Sequence, residues 1–117
     1  MQRIKELQVV FYKTEIGNEP VREWLRLLEK AEKKLIGEDI RTVQLEWPVG
    51  MPVVRKLDRG LWEIRTDLEN KISRVLFTVL QTNVVLLHGF IKKSQRTPQE
   101  DLSLAKQRMR YVIRGGL

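Results

Sequence analysis

The sequence has no cysteine and a single histidine, His88. Without cysteine there is no disulfide framework and no thiolate chemistry, which fits a reducing compartment. One imidazole per chain excludes a site of clustered histidine ligands within one chain. Long apolar runs are also missing. No stretch approaches the roughly 20 residues of a membrane span, and Met1-Gln2-Arg3-Ile4-Lys5-Glu6 lacks the apolar core of a signal peptide. No internal repeat, low-complexity tract or long linker divides the 117 residues. These absences give a set of expectations: one domain over 1–117 with 115–117 frayed, a cytoplasmic location, no membrane partner, no bound metal and no cofactor.

What the sequence does have is positive charge, at +7 net, and it is unevenly distributed. Residues 1–50 and residues 51–70 each balance to zero. Residues 71–117 hold nine basic side chains against Glu100 and Asp101 and carry the whole excess. A neutral half joined to a basic half points to a localised surface for a polyanion or an acidic partner. A solvated basic face that maintains solubility is the plainer alternative.

The pattern of apolar residues predicts an α+β order. Gln8 to Tyr12 reads as a first strand. Pro20 suits the first turn of a helix, where its missing N–H costs nothing, and Val21, Trp24, Leu25 and Leu28 follow at helical spacing. A second helix is expected from about Glu32, with Ile36, Ile40, Val43 and Trp47 as its stripe, ended by Pro48 and Gly50. Strands are expected at 53–57, 61–66, 72–80 and 84–91, mainly antiparallel because their connections are short. Thr97, Pro98 and Glu100 read as the capped start of a last helix. On that helix Leu102, Ala105, Met109, Val112 and Ile113 form an apolar stripe, and Lys106, Arg110 and Arg114 a basic one.

Strand alternation sorts side chains onto two faces. With the first two helices on Trp62, Val75, Phe77 and Leu87, the opposite face receives Arg65, Arg74 and Lys92 together with His88 and Phe90. A bulge would exchange Lys92 for Lys93. Cations beside an aromatic ring suit a scissile phosphate and a stacked base. Pairing of Arg65 and Arg74 with Glu63 and with Asp67 or Glu69 is the competing reading. Leu76, Leu80, Val84 and Leu86 fall on this same face, so the last helix or a partner must cover part of it.

Three linked motifs run through this half. They are Gly60-Leu61-Trp62-Glu63-Ile64-Arg65, Ser73-Arg74-Val75-Leu76-Phe77, and Leu87-His88-Gly89-Phe90-Ile91-Lys92-Lys93-Ser94-Gln95-Arg96-Thr97-Pro98. With Val21 to Leu25 and Ala105 to Arg108, the string resembles the phage-derived Gp49-like, HigB-type toxins of the RelE/ParE superfamily over about residues 8–110. The resemblance implies the toxin of a type II toxin–antitoxin pair that cleaves mRNA in the ribosomal A site. It also implies a metal-independent route in which the ribose 2′-OH attacks the adjacent phosphate, leaving a 2′,3′-cyclic phosphate and a 5′-OH.

Carried over by position, Arg74 is assigned to transition-state charge and phosphate contact and Arg65 to phosphate holding. Lys92 or Lys93 is assigned to proton transfer or leaving-group stabilisation. His88, Phe90, Arg96, Lys106, Arg110 and Arg114 are assigned to RNA binding. The implied partners are a small helix-turn-helix, HigA-like antitoxin, the ribosome and mRNA, with operator DNA met only through the antitoxin complex. Two alternatives share the fold: a ParE-like inhibitor of DNA gyrase, and a non-catalytic nucleic-acid-binding relative.

Overall fold

The computed structural model describes residues 6–92 and 96–116. Its elements run β1 (Gln8–Phe11), α1 (Pro20–Arg26), α2 (Lys30–Glu46), β2 (Val54–Asp58), β3 (Leu61–Leu68), β4 (Lys71–Leu80), β5 (Asn83–Lys92) and α3 (Gln99–Tyr111), closed by a wide turn at Val112–Gly116. The five strands form one sheet in the order β1-β5-β4-β3-β2. β2 to β5 pair antiparallel, whereas β1 lies parallel to β5, with Gln8 beside Asn83 and Phe11 beside Leu86. This is the expected α+β architecture. Among the described residues no helix is long and apolar enough to cross a membrane.

Each face of the sheet carries its own core. On one, Val21 of α1 and Ile36, Ile40 and Val43 of α2 pack on Ile64, Val75, Phe77, Val84 and Leu86. Trp47 meets Trp62 and Phe77 edge-on at centroid distances of 4.9 and 5.5 Å. On the other, Ala105 and Val112 pack on Leu61, Leu76, Val85 and Leu87. Each fully buried aliphatic side chain contributes roughly 1.5–3 kcal/mol. The close approach of α1 depends on Gly89, because a Cβ there would stand 2.4 Å from Trp24 Cε3.

Three local expectations change. Leu87 faces α3 rather than the α1–α2 layer, and Val84 and Leu86 face α1 and α2. The cause is a β-bulge. Leu76 pairs with His88 but Phe77 pairs with Leu86, so β5 holds one extra residue there and its alternation inverts. Second, α3 begins at Gln99, its N-cap is Pro98, and no side chain caps it. Thr97 is engaged elsewhere, as described below. Third, residues 112–116 continue α3 as a wide turn in which Gly115 takes a φ of 105°. Leu117 lies outside the described residues.

Candidate nucleic-acid interface

Cross-strand pairing builds the α3 side of the sheet in three rows. Glu63, Leu76 and His88 form the first; Arg65, Arg74 and Phe90 the second; Asp67, Ile72 and Lys92 the third. Residues directly opposite one another share a face. Arg65, Arg74 and Lys92 therefore lie on one side with His88 and Phe90, as alternation predicts.

The N-terminal end of α3 closes over the first row. Arg74 Nη1 donates to Glu63 Oε1 at 3.3 Å, and both side chains are fully buried. Thr97 Oγ1 donates to the same Oε1 at 2.6 Å and stands 3.3 Å from Arg74 Nη1, which donates to it. Burying two charges costs several kcal/mol per ion, recovered only when the geometry and further hydrogen bonds satisfy both. Thr97 is one of those further bonds, which is why its hydroxyl serves the ion pair instead of the helix.

The outer rows are more open. Lys92 and Arg96 are exposed, and Arg65 and Phe90 are half-buried. Arg65 Nε is buried and has no hydrogen-bond partner among the described residues. Phe90 stacks against His88 with centroids 5.3 Å apart and planes 27° apart. His88 Nε2 lies 2.6 Å from Asp101 Oδ1, in the first turn of α3. Arg74 differs from the expectation of an open phosphate contact, because it has no exposed surface. Lys93 lies outside the described residues.

The basic stripe of α3 is divided. Lys106 Nζ is bound to Asp58 Oδ2 at 2.7 Å, at the end of β2. Arg110 and Arg114 stay exposed. Arg108, outside the stripe, turns inward. It donates to the Leu87 carbonyl at 2.8 Å and lies over the Tyr12 ring at 5.1 Å. Burial pushes its guanidinium pKa down, against the opposing attraction of Tyr12. Among the described residues, no three His, Asp or Glu side chains gather where they could hold a metal ion.

Residues 23–110 match the family described as phage derived protein Gp49-like. The chain belongs to the Gp49-like family. That match runs from within α1 to almost the end of α3, and so takes in all three rows and the Arg74–Glu63–Thr97 cluster. No curated protein matches the chain. Sequence reasoning did not assign Asp101 or Thr97 to the Gp49-like site. Their roles depend on the angle at which α3 docks, which no local spacing encodes. Glu63 was legible only as a possible partner for the arginines.

Proposed function

We propose that this Gp49-like chain is the toxin of a type II toxin–antitoxin pair within the RelE/ParE superfamily, a metal-independent, ribosome-dependent mRNA endonuclease. The observation that carries the reading is the gathering of Arg65, Lys92 and Phe90 on one partly open strand face, above a buried arginine. In this reading Phe90 offers a ring on which an unpaired base stacks. Arg65 holds non-bridging phosphate oxygens and opposes the charge that builds during attack. Lys92, with Lys93 beside it in sequence, stabilises the departing O5′. Arg74 supplies positive charge from beneath the face and anchors it, without touching the substrate.

Arg110 on α3 and Arg114 in the wide turn that follows it face outward and serve as contacts to ribosomal RNA phosphates. Arg96 extends that basic surface next to the site. A helix-turn-helix antitoxin neutralises the protein in the cytoplasm and mediates contact with operator DNA. The test is controlled expression followed by primer-extension mapping of cellular mRNAs. Cuts confined to translated regions are expected. DNA damage with intact mRNA would replace this reading with gyrase inhibition, and harmless expression without an antitoxin would replace it with non-catalytic nucleic-acid binding.

A further inference from the structure

We infer that His88 is the general base of this site and that Asp101 is the residue that positions it. The inference rests on the endonuclease reading above and names the group that takes the 2′-OH proton.

The geometry is that of an oriented imidazole. His88 Nε2 and Asp101 Oδ1 are 2.6 Å apart. An ionised carboxylate only accepts, so in the neutral imidazole Nε2 carries the hydrogen and Nδ1 keeps its lone pair. Nδ1 has no partner among the described residues. The pair is neither sealed in nor fully solvated, with side chains 16% and 21% exposed. A second observation comes from the sheet. The bulge in β5 puts Leu87 and His88 on the same side, which fills the α3 core with Leu87 and still presents His88 on the cationic face. Bulges re-aim side chains in this way beside active sites.

Holding α3 in place does not require this contact. Thr97 ties its start to β3, Lys106 ties its middle to the end of β2, and Arg108 ties its last turn to β5. The charged groups around His88 are few. Asp101 approaches from α3, Glu63 lies two strands away in the same row, Arg74 and Arg65 occupy the next row, and Lys92 the row beyond.

The step balances with these groups alone. His88 Nδ1 takes the 2′-OH proton as the O2′–P bond forms, and the resulting imidazolium is held by the Asp101 carboxylate. The P–O5′ bond breaks, and O5′ takes a proton from the Lys92 ammonium. Solvent then returns a proton to Lys92 and removes one from His88. General base catalysis of this kind contributes about 10²–10⁴-fold.

The test measures cleavage of an mRNA on programmed ribosomes against pH, for the wild type, His88→Gln and Asp101→Asn. Asparagine keeps an acceptor for the imidazole N–H, so Asp101→Asn preserves the helix contact and removes only the charge. His88→Gln is expected to slow cleavage by about 10²–10⁴-fold and to erase the acid limb of the pH–rate profile. Asp101→Asn is expected to slow cleavage at least about tenfold while keeping an acid limb. Cleavage by the wild type with an unchanged rate and profile in both variants overturns the dyad and leaves the endonuclease reading intact. Absence of cleavage by the wild type overturns both.

Discussion

Arg74 and Glu63 are joined at 3.3 Å with neither side chain exposed to solvent. Removing one partner leaves an uncompensated buried charge, so Arg74→Ala is expected to destabilise the fold by about 3–5 kcal/mol. Urea unfolding checks this. A loss below about 1 kcal/mol would mean that the pair is far better solvated than its geometry indicates. Any fall in the proposed activity of Arg74→Ala then reports stability first and chemistry second.

Arg65 separates the two effects. It stands directly across from Arg74 but is half-buried and outside the ion pair. Arg65→Ala should change stability by no more than about 1 kcal/mol. If the proposed endonuclease reading is right, it should lower the rate of mRNA cleavage by about 10²–10³-fold, the loss seen when one donor to a developing oxyanion is removed. Single-turnover cleavage on ribosomes, paired with urea midpoints, measures both. Wild-type cleavage in this variant would remove Arg65 from the site.

The divided stripe of α3 makes its three basic residues unequal. Arg110 and Arg114 are exposed, while Lys106 is bonded to Asp58. If Arg110 and Arg114 bind phosphates, each alanine substitution reduces the slope of log affinity against log salt by about 0.7–0.9. Lys106→Ala should reduce it by less. Ribosome-binding titrations at several salt concentrations give these slopes, and equal slopes for all variants would reduce the stripe to a solvated face.

Two surface ion pairs set a pH dependence whose sign is fixed. The hydrogen bond from Lys106 lowers the Asp58 pKa, and the hydrogen bond from Lys71 lowers that of Glu32. A depressed carboxylate stabilises the fold above its unfolded pKa, near about 4, and the contribution is lost as pH falls through the folded value. Lys71 is shifted the other way, upward, chiefly by Glu32. Its contribution is present below about pH 10.4 and is lost as pH rises through the folded value. Lys106→Ala should therefore flatten the acid side of a plot of urea midpoint against pH. Glu32→Gln should flatten both the acid and the alkaline sides. An unchanged plot would show that solvent screens these pairs completely.

The sequence made some of this legible and hid the rest for physical reasons. The stripe of Ile36, Ile40 and Val43 is buried as its spacing predicts, because a helix repeats its faces independently of what surrounds it. Alternation likewise paired Arg65 with Arg74 on the correct face. It failed over Val84 to Leu87, because one extra residue in β5 inverts the pattern there and a period-two reading carries no sign of it. Thr97 misled more instructively. Its place before Pro98 and Glu100 is a sound local capping signal, but a buried carboxylate 34 residues earlier in the chain competes for the same hydroxyl and wins. The His88–Asp101 contact was hidden for the same reason, since it exists only once α3 lies across the sheet.

The parallel pairing of β1 with β5 gives the fold an order of assembly. Gln8 has no strand to join until Asn83 has been made, and α3 follows later still. The second row is complete only when Phe90 reaches Arg74, and the cluster under it only when Thr97 arrives. A chain still being translated thus carries its early helices without a finished cationic face. If the proposed activity is right, the ribosome making this protein has already synthesised both helices and all five strands before its product is armed.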